Sequence, residues 1–196
     1  MSDPDWFSGG FEHLGAFMRQ NPKVLEVFPE FFARHRFDVV VELGADEGGL
    51  SMVLKDCCDR MGARFHGYEI RDFRRLYLDN AEIRIRKIHL TIADVMADET
   101  IAQIERYTRA GRAAILCDTC DKVATFGAYA KLLKRGDVIM AHDYARDEET
   151  FREHRGERWN WFEVSESDLT DVCEAEGLED FYPEFAQVAW ACKIKA

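Results

Sequence analysis

Between residues 37 and 143, short apolar runs alternate with helical patterns, and this alternation constrains the fold more than any other feature. The five predicted strands are FDVVVEL, ARFHGYEI, IRIRKIHL, RAAILCD and GDVIMAHD, which begin at residues 37, 63, 83, 112 and 136. The helices between them are predicted over residues 48–60, 72–80, 98–110 and 121–133. Repeated βα alternation is typical of a parallel sheet that is covered by helices on both faces. The chain is therefore predicted to be a doubly wound α/β protein.

The flanking segments are expected to complete the same domain. Two amphipathic helices are predicted before the first strand, over residues 10–19 and 23–34. After the fifth strand, an acidic helix at residues 147–155 precedes a helix that Ser167 can cap. Alternating apolar residues then predict a strand at residues 186–195, which indicates an antiparallel edge on the sheet. The expected parts are N-terminal helices in residues 1–35, a core in 37–143 and a C-terminal part in 144–196, within one domain of residues 1–196.

Charge and hydropathy set expectations about partners and location. The formal net charge is −11, and the densest basic stretch, RDFRRLYLDNAEIRIRK, is interleaved with acidic and apolar residues. Since a nucleic-acid enzyme normally carries a basic face, we expect no nucleic-acid partner and a small-molecule substrate. No apolar run reaches the roughly 18 residues of a membrane span, and the first ten residues do not resemble a signal peptide. We therefore expect a cytoplasmic protein with no membrane partner, and we include a homodimer among its expected assemblies.

Six cysteines do not form a predicted disulfide framework. Cys57 and Cys58 are adjacent, and the CDTC segment from Cys117 to Cys120 closes a strand instead of opening a helix, as a redox motif would. No second cysteine or histidine pair completes four zinc ligands. The cysteines are therefore expected to be free thiols.

The turn after the first strand, Gly44-Ala45-Asp46-Glu47-Gly48-Gly49, is placed where α/β proteins hold an anionic or nucleoside ligand. A dinucleotide-binding turn needs a second glycine two residues after the first, where this chain has Asp46. Two adjacent carboxylates would repel a pyrophosphate. A cofactor with a cationic group, such as S-adenosylmethionine (SAM), is therefore favoured over a nicotinamide dinucleotide.

The segment VVVELGADEGG resembles the first motif of the class I SAM-dependent methyltransferases, and the resemblance extends over residues 37–143. Glu69, at the end of GYEI, matches the acidic residue that holds the ribose hydroxyls in that family. Asp94, in TIAD, matches the polar residue near the adenine amino group. The resemblance implies a Rossmann-like, mostly parallel seven-stranded sheet. The implied cofactor-binding residues are Glu42, Gly44, Ala45, Asp46, Gly49, Glu69, Ile70, Asp94 and Asp118.

The ends of the fourth and fifth strands suggest the chemistry. Asp118 closes the fourth strand, and His142 and Asp143 close the fifth, so the three side chains are expected to meet beside the methyl donor. This segment resembles the Mg-dependent O-methyltransferases of the catechol type and of the macrocin or cephalosporin-hydroxylase-like group. Asp121 replaces a histidine of the latter group, and His142 replaces the first of its paired acids. The resemblance implies a metal site of Asp118, His142 and Asp143, with Mg²⁺ as the candidate ion.

Several alternatives follow from the same residues. Without a metal, His142 is the candidate general base, or it orients Asp143. Asp118, His142 and Asp143 are the predicted catalytic residues in either case, and the predicted activity is methyl transfer to a hydroxyl of a small molecule. A SAM-binding protein without turnover, acting through a partner, and a nicotinamide-linked oxidoreductase are the alternative functions. The aromatic residues of RWNWF, at residues 158–162, are predicted to be core, with a substrate lid as the alternative.

Overall fold

The computed structural model describes residues 10–154 and 162–196, and within these ranges seven strands form one main sheet. The strands in these ranges are β1 (Phe11–His13), β2 (Ala16–Met18), β3 (Val39–Leu43), β4 (Arg64–Glu69), β5 (Leu90–Ile92), β6 (Ala113–Cys117), β7 (Val138–His142), β8 (Tyr144–Ala145), β9 (Val164–Ser165), β10 (Leu178–Asp180) and β11 (Trp190–Lys195). The helices are α1 (Val24–Arg34), α2 (Gly49–Met61), α3 (Arg74–Asp79), α4 (Ala81–Ile85), α5 (Asp98–Arg109), α6 (Lys122–Ala130), α7 (Glu148–His154) and α8 (Glu166–Glu176), with a 3-10 helix at Pro183–Val188.

The strand order of the main sheet is β10-β11-β7-β6-β3-β4-β5. Strands β3 to β7 pair in parallel, whereas β11 pairs antiparallel with both β7 and β10. The predicted α/β class, the mostly parallel seven-stranded sheet and the antiparallel pairing at one edge are thus confirmed. Two small sheets, β1-β2 and β8-β9, lie outside it.

Each face of the sheet is covered by its own hydrophobic core. On one face, Val40 of β3 packs in a cluster with Phe28 of α1 and Leu54 of α2. On the other, Val39 and Val41 belong to a cluster with residues of α5, α6 and α8. Every residue of β3, β6 and β7 is buried, which explains why these strands are continuous apolar runs instead of alternating patterns.

The predicted helix at residues 10–19 is wrong, because this segment is a β-hairpin. Strands β1 and β2 pair antiparallel, with His13 opposite Ala16. The two residues between them, Leu14 and Gly15, have φ values of 51° and 78°. Positive φ at both central positions is the geometry of the tight hairpin turn that fits the twist of the strands. Each strand has only three residues, which is too short for periodicity to reveal the hairpin.

The predicted third strand is partly wrong. Residues 83–85 belong to helix α4, whose N-terminus is capped by the Asn80 side chain, and strand β5 begins only at Leu90. The run IRIRK alternates as a strand does, but Ile83 and Ile88 are buried while Ile85 is exposed. The cap at Asn80 satisfies the amides of Glu82 and Ile83 and so favours the helix.

The C-terminal part differs from the prediction in its cap and in the start of its last strand. Ser165, not Ser167, caps α8, in a capping box with Asp168. The first residues of the predicted final strand belong to the 3-10 helix, and β11 begins at Trp190. Trp159 and Trp161 of the RWNWF segment lie outside the described residues, whereas Phe162 is buried.

Two further sequence-based expectations can be compared with the structure. All six cysteines are free; five are buried and Cys120 is exposed. In the part of the chain that is described, no helix has both the length and the apolar character needed to cross a membrane.

Candidate active site

A cavity of about 390 Å³ opens at the carboxyl ends of the parallel strands. This is the edge at which open α/β sheets bind ligands. Its lining includes most of the residues predicted from the sequence: Glu42, Gly44, Ala45, Asp46, Gly49, Glu69, Asp118, His142 and Asp143. It also includes residues that the sequence did not indicate, among them Arg19, Gln20, Arg71, Lys122 and Glu163.

Two predicted cofactor residues lie outside this lining. Ile70 is 63% exposed. Asp94 is exposed too, and its Oδ1 accepts a hydrogen bond of 2.8 Å from the backbone N–H of Met96. Asp94 therefore stabilises the turn that precedes α5. Its predicted contact with adenine stays a prediction.

The turn after β3 depends on Gly44. The backbone N–H groups of Gly44 and Ala45 both donate to the carbonyl of Tyr68, which ties the turn to the end of β4. Gly44 has a φ of 93°, and a Cβ atom there would lie 2.1 Å from the backbone oxygen of Asp118. The glycine therefore lets the turn pass directly against the end of β6. Close approach between two segments of the backbone is what requires a glycine here.

The carboxylates of this turn bind local partners. Asp46 forms ion pairs with Arg19 and with Arg71, the latter at 3.0 Å, and Glu47 accepts the backbone N–H of Phe17 at 3.1 Å. Burial raises the pKa of Asp46, and the two arginines act in the opposite direction. Both acids thus help to hold the N-terminal hairpin over the cavity. This role, which sequence reasoning missed, accounts for their position without a cationic ligand.

Glu69 is a buried carboxylate that the backbone holds in place. Its Oε2 accepts the N–H of Asp46 at 2.9 Å, and its Oε1 accepts the N–H of Arg71, also at 2.9 Å. Arg71 Nε also lies 3.5 Å from Oε1. An ionised carboxylate has about four acceptor positions, so these three contacts leave capacity for a ligand. Glu69 is therefore positioned at the cavity wall with its orientation fixed.

Glu42 is the least satisfied polar side chain of the site. The Ser51 hydroxyl donates to its Oε2, but its Oε1 is buried without a hydrogen-bond partner. Burial, together with the nearby charges of Asp118 and Glu69, raises the pKa of Glu42 to about 8, against the smaller opposing effect of Ser51. An unpaired buried oxygen in a cavity wall is costly unless a ligand supplies a donor.

Asp118, His142 and Asp143 come together as predicted from their strand ends. One ligand atom from each lies within 4.8 Å of the others, a spacing that suits a single metal ion. His142 Nδ1 is 3.1 Å from Asp118 Oδ1 and 3.4 Å from Asp143 Oδ1. Burial would lower the pKa of His142, but the two carboxylates raise it above its ordinary value. The pKa of Asp118 is lowered despite its burial, chiefly by His142, whereas burial raises that of Asp143.

Lys122 is a member of this cluster that sequence reasoning missed. Its Nζ lies 2.9 Å from Asp143 Oδ2, 2.8 Å from Glu163 Oε2 and 3.6 Å from Asp118 Oδ1, and the side chain is only 7% exposed. Burial alone would lower the pKa of Lys122, but Asp118 and Asp143 raise it, so the amine is a cation at neutral pH. Asp118 precedes α6, so the pairing of residues four apart on one helix does not apply, and no local pattern indicated this contact.

Asp121, the residue that replaces a histidine of the resembling group, does not join the cluster. It is exposed, and its Oδ1 accepts the N–H of Ala124 at 3.0 Å, which makes it the N-cap of α6. Because the helix starts there, the next residue, Lys122, is directed by the first turn toward the strand ends.

Gln20 connects the cluster to the last strand. Its Oε1 accepts the indole N–H of Trp190 at 2.8 Å, which orients the amide, and its Nε2 donates to Asp118 Oδ2 at 2.9 Å. The same nitrogen lies 3.3 Å from His142 Nδ1, and the rings of His142 and Trp190 are 4.8 Å apart. Gln20 and Trp190 therefore fix the orientations of Asp118 and His142. The contact joins residues 170 positions apart, so no local pattern could have revealed it.

The cluster can be tested for its fit to Mg²⁺. Three potential ligands have suitable spacing, but Mg²⁺ prefers oxygen ligands and one of the three is an imidazole. The ammonium of Lys122 also already lies between Asp118 and Asp143. With the Lys122 ammonium in this position, Asp118, His142 and Asp143 do not fit a divalent cation as well.

Comparison with known proteins gives a clear result only at the level of structure. No family model and no curated protein sequence matches the chain. The apo structure of CmcI is similar with a TM-score of 0.67 and 17% identity, over 95% of this chain and 76% of that one. An O-methyltransferase family protein from Burkholderia thailandensis has a TM-score of 0.58 and 15% identity, over 88% of this chain and 55% of its own.

Two further structures agree with these. A putative caffeoyl-CoA O-methyltransferase from Staphylococcus aureus has a TM-score of 0.57 and 14% identity, over 88% of this chain and 83% of its own. A CmcI structure described as an Mg–SAM complex has a TM-score of 0.64 and 15% identity, over 95% of this chain and 76% of that one. The predicted resemblance is thus confirmed for the architecture: the chain has the fold of the class I SAM-dependent methyltransferases.

Proposed function

We propose that the protein is a SAM-dependent methyltransferase that transfers a methyl group to a hydroxyl of a small molecule. The observation that carries this proposal is that one cavity joins the turn after β3 and Glu69 to the cluster of Asp118, His142 and Asp143. A cofactor site and an acid–base site are therefore adjacent. The structural neighbours support the same conclusion, since CmcI is described with SAM and the product S-adenosylhomocysteine (SAH).

The cavity wall suits this cofactor. Glu69, held by two backbone donors, has free acceptor capacity for ribose hydroxyls. A cationic amino group near the unpaired Oε1 of Glu42 would favour the ionised carboxylate, against the effect of burial, and would donate to that oxygen. When bound, SAM supplies a methyl group that is activated by a sulfonium. Gly44, Ala45 and Asp46 would form the turn against which it rests.

His142 is the group that takes the proton from the substrate hydroxyl in this proposal. Its Nδ1 faces Asp118 Oδ1, which leaves Nε2 as the nitrogen that accepts the proton. The carboxylates of Asp118 and Asp143 then stabilise the imidazolium. SAM held against Gly44, Ala45 and Asp46 would supply the methyl group to the substrate oxygen, and its sulfur would keep the electron pair of the broken bond, so charge and atoms would balance. Holding the hydroxyl in line with the methyl group supplies much of the rate.

The activity is tested by methyl transfer. The purified chain is incubated with SAM labelled in the methyl group and with a panel of phenols, catechols, sugars and hydroxy acids. Label in an ether product supports the proposal. Binding of SAH without transfer to any compound would favour a SAM-binding protein without turnover. Binding of NADH in place of SAH would favour an oxidoreductase.

Removal of the Glu69 carboxylate should weaken cofactor binding. In Glu69→Ala, we expect the affinity for SAH to fall by about 1–3 kcal/mol, because ribose hydroxyls would be buried without their acceptor. Isothermal titration calorimetry measures the change. Glu105→Ala, which removes a carboxylate from the surface of α5, is the control and should bind as the parent does. Unchanged affinity in folded Glu69→Ala would remove Glu69 from the cofactor site.

A further inference from the structure

We propose that the ammonium of Lys122 is the resident cation of this site and takes the place of a divalent metal ion, so that methyl transfer proceeds without one. This inference rests on the proposed function for its catalytic part. Its structural part, the occupation of a cation site by Lys122, can be tested by metal binding alone.

The contacts of Lys122 are those of a bound cation. Its Nζ contacts oxygen atoms from three separate segments: Asp118 after β6, Asp143 after β7 and Glu163 before β9. The contact of 2.8 Å to Glu163 is a hydrogen bond, and the contact of 2.9 Å to Asp143 is a close ion pair. Carboxylates that converge on one point from several elements normally need a positive charge between them. Here a side chain of the protein supplies that charge.

Burial makes it hard for a metal ion to replace the Lys122 ammonium. An isolated ammonium that is 7% exposed would be unstable as a cation, and three neighbouring carboxylates without it would repel one another. Each partner therefore keeps the other charged. For a metal ion to bind the same oxygens, it would have to displace the lysine from its pocket.

The ammonium also has a donor for the substrate. An ammonium has three N–H groups, and Glu163 and Asp143 take up at most two of them. The contact with Asp118, at 3.6 Å, is too long for a good hydrogen bond. Because Lys122 lines the cavity, the third N–H can donate to the substrate oxygen as His142 removes its proton. A metal ion would serve that oxygen in the same way, by stabilising its negative charge.

The proposal is tested by electron paramagnetic resonance of Mn²⁺, which distinguishes bound from free ion. The parent protein is compared with Lys122→Met, which keeps the length of the side chain but removes its charge. We expect no detectable binding of Mn²⁺ to the parent protein at millimolar concentrations of the ion. In Lys122→Met, the affinity for Mn²⁺ should be at least roughly tenfold higher, because the carboxylates lose their cation. If that variant does not fold, Lys122→Gln replaces it.

Lys193→Met is the matched control. Lys193 is also buried between two carboxylates, Glu166 at 2.7 Å and Asp180 at 2.6 Å, but it does not line the cavity. It should gain much less Mn²⁺ affinity than Lys122→Met, since only two carboxylates converge there. An equal gain in both variants would show that the effect is not specific to Lys122 and would overturn the proposal.

The remaining outcomes are also decisive. Mn²⁺ binding by the parent, or no binding by a folded Lys122 variant, would show that Lys122 does not occupy a cation site. Where turnover is observed, the parent should keep its rate in EDTA, and a requirement for Mg²⁺ would overturn the inference while leaving the methyltransferase proposal intact. Failure of SAH to bind would instead overturn the proposed function, whatever the Mn²⁺ result.

Discussion

Replacing Glu42 with glutamine should stabilise the protein at pH 9 by up to about 5 kcal/mol, since one pKa unit corresponds to about 1.4 kcal/mol. The carboxyl has an ordinary pKa of 4.5, and burial raises it to about 8 in the folded protein. Below pH 4.5 both states hold the proton. Between pH 4.5 and 8 the unfolded chain loses it while the folded protein keeps it, so the free energy of unfolding falls as the pH rises.

Glutamine removes this titration but keeps the oxygen that accepts from Ser51. Urea unfolding of both proteins at a series of pH values from 4 to 9.5 measures the effect as a difference, in which the other titrating groups cancel. The two curves should meet near the acidic end and diverge up to about pH 8. Parallel curves would mean that the pKa of Glu42 is the same in the folded and the unfolded protein.

Substitution of Gly44 by alanine should cost roughly 4 kcal/mol or more, a loss typical of a severe backbone clash. The added Cβ would lie 2.1 Å from the carbonyl oxygen of Asp118, and a backbone atom cannot move aside as a flexible side chain can. The positive φ of Gly44 adds strain. The cause is thus a conflict between two turns of the protein rather than a conflict with the cofactor.

Gly62→Ala separates the cost of the backbone clash from the cost of the positive φ. Gly62 has a φ of 74°, and a Cβ there would have no neighbour within 4 Å, so only the backbone strain of about 1–2 kcal/mol applies. Thermal and urea unfolding of both variants give the comparison. A similarly small loss of stability in Gly44→Ala and Gly62→Ala would show that the turn after β3 can move away from Asp118.

Much of the fold could be predicted because local patterns were unambiguous. The apolar runs of β3, β6 and β7 are buried on both faces, and in such strands the residues need not alternate. In parallel strands that lie side by side, residues at the carboxyl ends must meet. The proximity of Asp118 to His142 and Asp143 follows from this geometry alone.

The missed features depend on contacts that are distant in sequence or on short elements. The hairpin of β1 and β2 is defined by two residues with positive φ, and its docking on the turn requires ion pairs such as Arg19 with Asp46. Gln20 reaches Asp118 only because the hairpin lies over the cavity. Lys122 enters the cluster because Asp121 caps the helix one residue earlier, a detail of the boundary that sequence patterns leave undecided.

The central claim is that the cavity at the strand ends is a SAM site, and titration of the parent protein with SAH by calorimetry tests it most directly. We expect saturable binding of one SAH per chain, reduced in Glu69→Ala, and no heat of binding with NADH at the same concentration. Absence of SAH binding to the folded parent, or binding that is equally strong in Glu69→Ala, would contradict this assignment of the cavity.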